Sequence, residues 1–183
     1  IEPGRGTFVQ HELLDYVLSR RTRFSENLQR QGLLPSKQLL TARQMPAPER
    51  AAHELRLGKG GKVLMVEMLD EANEQPIALA TAYYPAGRFA GLLDMLGRGT
   101  CTTDILRHFG VEDYVRAESR VTTQMPSVET ARLLKQPLTR PVLCVECLDV
   151  DMAGLPIKYG ETVFSGDRVQ LVVNAGHETG GGT

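Results

Sequence analysis

The chain repeats one pattern at an interval of about 79 residues, and this repeat constrains its fold more than any other feature. Residues 25–32 and 103–110 both read hydroxyl, acid, any residue, Leu, three residues, Gly. Further matches follow in the same order and at nearly the same interval: 44–51 with 124–131, 63–70 with 142–149, and 76–77 with 156–157. Because the matches keep their order and spacing, they predict two copies of one structural unit.

Each unit has start and stop signals for its elements. Ser25 and Thr103 are predicted helix N-caps, each followed by an acid that suits the positive end of a helix. Gly32 and Gly110 are predicted to end those helices in the left-handed conformation, and Gly58 to end the next helix of the first copy. The other predicted elements are strands 36–44, 115–124 and 168–173, helices 48–57 and 127–134, and hairpins of 63–69 with 77–84 and 142–150 with 157–164.

Hairpin-connected strands form antiparallel sheets, and short helices between them cover the sheet. The sequence therefore predicts an α+β fold: an antiparallel sheet with short helices on one face and an internal two-fold repeat. A cavity commonly lies where two such halves meet. We therefore expect the helix starts at Ser25 and Thr103 to approach a shared cleft.

Composition excludes several classes of protein. A length of 183 residues suits one domain, and a net charge of −1 gives no general attraction for nucleic acid. No apolar run approaches the roughly 20 residues that a membrane span needs, and no signal peptide is seen, so no membrane partner is expected. Three cysteines suit a reducing, cytoplasmic compartment. Cys144 and Cys147 would point to opposite faces of a strand, so neither a metal nor any other cofactor is predicted.

A basic segment precedes the first predicted helix. Three arginines, Arg20, Arg21 and Arg23, lie just before Ser25. Arginine beside a helix N-terminus favours anion binding, because the guanidinium and the free backbone N–H groups both donate hydrogen bonds. The alternative is a solvated basic turn. An effector that spans both copies would place its acid group at Arg23 and Ser25 and its polar remainder near Thr102 and Thr103.

Three further candidates come from the hairpin strands. Tyr159 and Glu161 share one face of their strand, and the repeat pairs Glu161 with Thr81, two residues before Tyr83. Tyr83, Tyr159 and Glu161 therefore either line a ligand cavity or face solvent.

The N-terminal residues carry a family resemblance. Residues 4–9, Gly-Arg-Gly-Thr-Phe-Val, resemble the end of the wing in GntR-type winged-helix repressors. The resemblance implies a wing remnant and linker at 1–9 and an effector-binding domain at 10–174, with a disordered tail predicted at 175–183. Operator DNA would then be contacted only through an N-terminal winged-helix domain outside this chain.

The rest of the chain resembles the effector domain of the HutC group of GntR regulators, the UTRA domain. The resemblance rests on 22–28, Tyr84-Pro85 with Phe89, Leu133-Leu134 ahead of 141–143, and 166–168. It implies a chorismate-lyase-like fold, a homodimer, and a small-molecule effector that alters operator binding, with Arg23, Phe24 and Ser25 in the pocket. Leu14-Asp15-Tyr16 together with 21–28 is most similar to repressors of phosphonate utilisation, which implies a small anionic effector such as a phosphonate or phosphate ester.

Departures from the family's sequence pattern restrict the chemical class of the effector. Members that sense sugar phosphates carry Arg-x-Arg where this chain has residues 67–69, Glu-Met-Leu, and Ser-Leu-Tyr where it has 101–103, Cys-Thr-Thr. The loss of two arginines and a tyrosine disfavours a sugar phosphate.

Two other functions stay open at this point. A chorismate-lyase-like enzyme could act on a small carboxylated substrate with Arg23 and Glu161, although the sequence offers no activated nucleophile or catalytic carboxylate pair. The third alternative is a dimerisation spacer whose pocket is degenerate.

Overall fold

The computed structural model describes residues 13–21, 23–98 and 101–174. Six strands form one antiparallel sheet in the order β2-β3-β4-β7-β6-β5, and β1 pairs with β8 in a separate parallel ladder. The predicted wing remnant at 1–9 and the predicted tail at 175–183 lie outside the described residues. The elements are β1 (Leu14–Leu18), α1 (Phe24–Gln29), β2 (Pro35–Pro46), α2 (Glu49–Glu54), β3 (Lys62–Ala72), β4 (Gln75–Pro85), α3 (Leu92–Gly97), α4 (Thr102–His108), β5 (Tyr114–Gln124), α5 (Val128–Leu133), β6 (Val142–Asp151), β7 (Pro156–Ser165) and β8 (Val169–Val173).

The strand order confirms the internal two-fold repeat. β2, β3 and β4 of the first copy occupy one half of the sheet, and β5, β6 and β7 occupy the other half in mirrored order. The two halves join where β4 pairs with β7. Irregularities in register also recur, between Asp70 and Glu71 in β3 and between Asp149 and Val150 in β6. Helices α1 and α4 are therefore equivalent, as are α2 and α5.

The α+β class is confirmed, but helices cover both faces of the sheet rather than one. Adjacent residues of β3 show this: Leu64 packs with Ile105 of α4, whereas Val63 packs with Ala51 of α2. Neighbouring side chains of a strand point to opposite faces. We call the face under α1, α3, α4 and the β1–β8 ladder the inner face, and the face under α2 and α5 the outer face. Both faces need cover because the central strands carry apolar residues on both sides.

The predicted helix N-caps are wrong by two residues. Arg23 and Cys101 are the N-caps of α1 and α4, and neither makes a side-chain capping hydrogen bond. Ser25 and Thr103 lie inside the first turns. The extended backbone of Arg23 (φ −127°, ψ 129°) leads directly into Phe24, whose burial fixes where the helix begins.

The helix ends follow the prediction at α1 and α4 but not at α2. Gly32 and Gly110 adopt φ of +72° and +75°, as expected for left-handed helix ends. α2 ends at Glu54, and the left-handed residue beyond it is Arg56 (φ +53°) instead of Gly58. Lys135 (φ +49°) is its counterpart after α5. In the described part of the chain, no helix is long and apolar enough to cross a membrane.

Candidate effector site

The starts of α1 and α4 lie side by side on the inner face. The Arg23 guanidinium donates from Nη1 to Oγ1 of Thr103 at 3.4 Å and lies over the Tyr114 ring, 4.9 Å from its centroid. The structure thus brings together Arg23 and Thr103, which belong to different copies of the repeat. Thr102 is half-buried beside Thr103, and Ser25 is exposed in the first turn of α1.

Arg23 already has acidic neighbours. Its Nη2 lies 3.6 Å from Oδ1 of Asp113, and its Nε lies 3.7 Å from Oε1 of Glu26. Asp113 also pairs with Arg21 at 2.6 Å, and the hydrogen bond from Arg21 is the main cause that lowers the pKa of Asp113. An anion that binds Arg23, whose side chain is 24% exposed, would therefore compete with Asp113.

Phe24 connects this region to charges on the sheet. Its ring is buried, and the ammonium group of Lys37 lies 4.3 Å from the ring centroid. Lys37 Nζ also lies 2.7 Å from Oδ1 of Asp70. Aromatic faces attract cations, so Phe24 helps to hold Lys37 on the inner face.

A matching ion pair occupies the second half of the sheet. Arg116 Nε lies 3.2 Å from Oδ1 of Asp149, and the repeat places Arg116 and Asp149 where the first copy has Lys37 and Asp70. The two carboxylates are nearly inaccessible, with side chains 4% (Asp70) and 3% (Asp149) exposed. Buried charges at this depth must be paired to be tolerated.

Lys158 adds a third cation without a counterpart in the first copy. Its Nζ lies 2.5 Å from Oδ2 of Asp149, and its charge also acts on Asp70. Burial opposes the charged form of Lys158, but Asp149 raises the pKa of its ammonium well above the usual range. Lys37, Arg116 and Lys158 thus face two carboxylates, and this cluster, which we call the inner-face charge cluster, carries excess positive charge.

The two carboxylates of this cluster titrate differently. Burial raises the pKa of Asp70 above its usual range, although Lys37 and Lys158 oppose the shift. Burial also acts on Asp149, but there Lys158 and Arg116 prevail and lower the pKa of the carboxyl. Asp149 is therefore the firmly ionised member.

Two tyrosine hydroxyls adjoin the inner-face charge cluster. Burial is the main cause that raises the pKa of Tyr84 to about 12, and the nearby Lys158 opposes it. Burial likewise raises the pKa of Tyr16 well above its usual range, with Arg116 opposing, and the Tyr16 ring packs 4.7 Å from that of Phe164. Both phenols stay protonated at neutral pH and can donate hydrogen bonds to an anion.

Sequence reasoning missed this charge cluster, although a signal was present. Lys37 with Asp70 and Arg116 with Asp149 fall at corresponding positions of the repeat. Opposite charges kept on paired strands in both copies would have predicted two equivalent cross-strand ion pairs.

Tyr83, Tyr159 and Glu161 are not brought together with Arg23. They lie on the outer face, where Tyr83 and Tyr159 pack in the cluster under α2 with their ring centroids 6.0 Å apart. Tyr84, the next residue after Tyr83, packs on the inner face under α4. The eight predicted residues therefore do not form one site, because side-chain alternation along β4 and β7 sends three of them through the sheet. Arg23 and Glu161 cannot form the catalytic pair considered above.

A groove of about 420 Å³ lies at the edge of the inner face, between the start of β1 and the β3–β4 turn. Its polar lining includes Gln31, Asn73, Asp167 and Arg168. None of the eight predicted residues lines it.

The fold is thus a mirrored antiparallel sheet with a charged inner face beneath two equivalent helix starts. The UTRA domain family model matches residues 30–170, and the chain belongs to this family. It is 31% identical over 92% of its length to RB1450, an HTH-type transcriptional regulator of Rhizobium meliloti (strain 1021), and covers 69% of that protein. It is 24% identical to the transcriptional regulator PhnF of Escherichia coli (strain K12), over 93% of this chain and 70% of PhnF. The HTH-type transcriptional repressor NagR of Bacillus subtilis (strain 168) is also 24% identical, over 92% of this chain and 69% of NagR.

Solved structures agree on the fold. The crystal structure of PhnF from Mycobacterium smegmatis superposes with a TM-score of 0.80 at 20% identity and covers 91% of this chain and 73% of that one. The effector domain of the same protein superposes with a TM-score of 0.77 at 21% identity and covers 88% of this chain and 99% of that one. The chain is thus a UTRA domain, and the relatives that it matches over most of its length are HTH-type transcriptional regulators.

Proposed function

We propose that this domain senses a small anionic effector, a phosphonate or a phosphate ester, on the inner face, and that its regulator controls phosphonate uptake or utilisation. The observation that carries the proposal is Lys158, which gives the inner-face charge cluster one cation more than its carboxylates neutralise. The similarity to PhnF effector domains supports the phosphonate class.

The contacts suggest how the anion would be held. Arg23 contacts Thr103, and Phe24 contacts Lys37 of the inner-face charge cluster. In this proposal Ser25 and Thr102 complete the rim of the pocket at the starts of α1 and α4. Guanidinium and ammonium groups make charge-assisted hydrogen bonds to phosphonate oxygens, which are stronger than neutral ones. The effector would take the place of Asp113 at Arg23 and reach the excess charge of Lys158 below.

Sensing requires no chemistry on the ligand. A coupling of about 1–3 kcal/mol between effector binding and operator binding changes operator occupancy appreciably. In this proposal the domain works as a cytoplasmic homodimer, with residues 10–174 forming the sensor, 1–9 joining it to a winged-helix domain that binds the operator, and 175–183 forming a tail. Sedimentation equilibrium of the chain tests the dimer.

The effector is tested by calorimetric titration of the chain with methylphosphonate and inorganic phosphate, and with uncharged dimethyl sulfone as the comparison. Lys158→Met should weaken anion binding by about tenfold or more, because charge-assisted hydrogen bonds contribute about 1.5–3 kcal/mol. Lys59→Met, which changes an exposed lysine in a turn, is the matched control and should bind normally. The site assignment fails if neither anion binds or if Lys158→Met binds them unchanged.

A further inference from the structure

Strand β1 uses one edge of its backbone for β8 and turns the other toward α1. On the first edge, the backbone N–H of Leu14 donates to the carbonyl oxygen of Arg168 at 2.7 Å. In a parallel ladder, alternate residues of a strand face the partner strand, so the backbone groups of Asp15 and Val17 point away from β8. Backbone groups on such an edge need partners from elsewhere in the fold.

Two side-chain amides from the α1 region fill this second edge. Oδ1 of Asn27 accepts from the backbone N–H of Val17 at 2.9 Å, and Nδ2 donates to the Val17 carbonyl at 3.2 Å. Oε1 of Gln31 accepts from the backbone N–H of Asp15 at 3.1 Å, and Nε2 donates to the Asp15 carbonyl at 2.6 Å. We call these hydrogen bonds the amide clamp.

The dimensions of helix and strand explain why both amides fit. Four residues of an α-helix rise about 6 Å, and two residues of a parallel strand advance about 6.6 Å. Side chains four residues apart on one side of a helix therefore reach backbone groups two residues apart on a strand. Gln31 lies in the turn that follows α1, and its Nε2 also donates to the Asn27 carbonyl at 2.9 Å, which ties the two amides together.

The corresponding positions of the second copy carry apolar side chains. The repeat aligns Asn27 with Ile105 and Gln31 with Phe109. Ile105 is buried, and Phe109 packs against the same apolar cluster on the inner face. The amides are thus a feature of the first copy, where a strand with a free edge lies beside the helix.

Asn27 also holds the backbone of Arg23, the residue proposed to bind the effector. The Asn27 backbone N–H donates to the Arg23 carbonyl at 3.0 Å, and its Nδ2 lies 3.5 Å from the same oxygen. The Arg23 side chain in turn contacts Thr103 of α4. Asn27, which is 8% exposed, therefore contacts both the middle of β1 and the residue that would meet the anion.

Strand β1 also approaches the inner-face charge cluster directly. Tyr16 lies between the two clamped residues, and its ring packs against Phe164 on the inner face. Burial raises the pKa of the Tyr16 phenol and Arg116 opposes the rise, as expected for a hydroxyl near that guanidinium. Just after β1, the carbonyl of Arg20 accepts from the backbone N–H of Arg116 at 2.8 Å. The strand and the segment after it thus contact residues that surround the proposed effector.

Separating β1 from α1 would be costly, because a buried amide that loses its hydrogen-bond partners is destabilising. We propose that the amide clamp makes β1 and α1 one cooperative unit, so that an anion bound at Arg23 also orders β1. The effect of the anion rests on the proposed function. Because the proposed linker at 1–9 precedes β1, the ordering of this strand is the change that the linker would receive.

The clamp is tested first without ligand, by residue-resolved amide hydrogen exchange of the chain measured by NMR. Gln31→Ala removes the bonds to Asp15 and, at an exposed position, should leave the fold intact. In a cooperative unit it should also lower the protection of the Val17 and Asn27 amides by about two- to tenfold, although neither amide donates to Gln31. Gln29→Ala, also exposed and on the same helix, is the matched control and should leave both amides unchanged.

The coupling to the site is tested by adding methylphosphonate or inorganic phosphate at about 100 times the Kd measured by calorimetry. The protection of the Val17 and Asn27 amides should then rise together by up to about 100-fold, because the anion binds only the closed unit. Asn27→Asp keeps the side-chain shape but sets a carboxylate oxygen against the carbonyls of Val17 and Arg23. In that variant the gain in protection should no longer reach Val17.

The two experiments separate the clamp from the proposed effector. If neither anion binds, the effector assignment is wrong, and exchange in the free chain decides the clamp by itself. The clamp is overturned if Gln31→Ala changes the Asp15 amide alone, or if Gln29→Ala has the same effect as Gln31→Ala. The coupling is overturned if a bound anion slows exchange in α1 and leaves Val17 unchanged, or if Asn27→Asp shows the wild-type gain at Val17.

Discussion

Lys37 contacts Asp70 in the first half of the sheet as Arg116 contacts Asp149 in the second half, at corresponding positions of the repeat. The two copies have therefore kept a buried ion pair on the same face of the sheet. Lys158 breaks the symmetry because its counterpart region in β4 is Ala78-Leu79. The positive excess on the inner face comes from this single difference between the copies.

Asp149→Asn should destabilise the fold strongly. The substitution keeps the shape but leaves Arg116 and Lys158, both largely buried, without their carboxylate. Removing one partner from a buried charge pair costs about 3–5 kcal/mol. Urea denaturation measures the loss, and the exposed Asp104→Asn on α4 is the control that should change stability little.

The ionisation of Asp149 should also determine how the free energy of unfolding falls at acid pH. Its folded pKa is depressed, because Lys158 and Arg116 outweigh burial, so its contribution is fully present above the unfolded pKa of about 3.9. That contribution is lost as pH falls through the lower folded pKa. Denaturant midpoints measured from pH 7 downward should fall less for Asp149→Asn than for the wild type below about pH 4. Parallel curves would contradict this assignment.

Asp113→Asn should raise the affinity for an anionic effector. Asp113 lies 3.6 Å from Arg23 and competes with an incoming anion, and the asparagine removes the competing charge. Titration with methylphosphonate should show a severalfold gain, whereas Glu112→Gln, its neighbour without a contact to Arg23, should show none. A loss of affinity would mean that Asp113 positions Arg23 for binding.

Tyr159→Phe should leave the stability of the unliganded domain unchanged or slightly improved. The phenylalanine keeps the packing under α2 and removes a buried hydroxyl that lies beside Glu146, Arg50 and Glu161 but makes no hydrogen bond of normal geometry with any described residue. Tyr159→Ala removes the ring as well and should cost about 3–5 kcal/mol, as for other large aromatic truncations. Thermal unfolding of both variants checks the contrast.

Gly110→Ala should destabilise α4 through the backbone alone. Gly110 has φ of +75°, and a Cβ at this position would meet no atom within 4 Å. A residue with a Cβ pays about 1 kcal/mol or more for the left-handed conformation. Gly58→Ala is the matched control: its surroundings are equally open and its φ is outside the left-handed region, so alanine should be neutral or stabilising.

The elements could be predicted because their signals are local and occur twice. Hairpin strands, the left-handed glycines at 32 and 110, and the second helix of each unit all follow from residues close together in the chain. Helix α3 was not predicted, and neither was the short parallel strand β1, which pairs with β8 at the other end of the chain. The N-caps were misplaced because burial of Phe24, a tertiary contact, sets where α1 begins.

By itself, the sequence determined the two-copy architecture, the α+β class and the family, since periodicity, turn residues and motifs are properties of neighbouring residues. Only the tertiary structure decided which residues share a site. Alternation along a strand shows that Tyr83 and Tyr84 point opposite ways, but helix packing decides which of them faces Arg23. For the same reason the pairing of Arg23 with Thr103 and the charge excess at Lys158 emerge only when both copies are packed against one another.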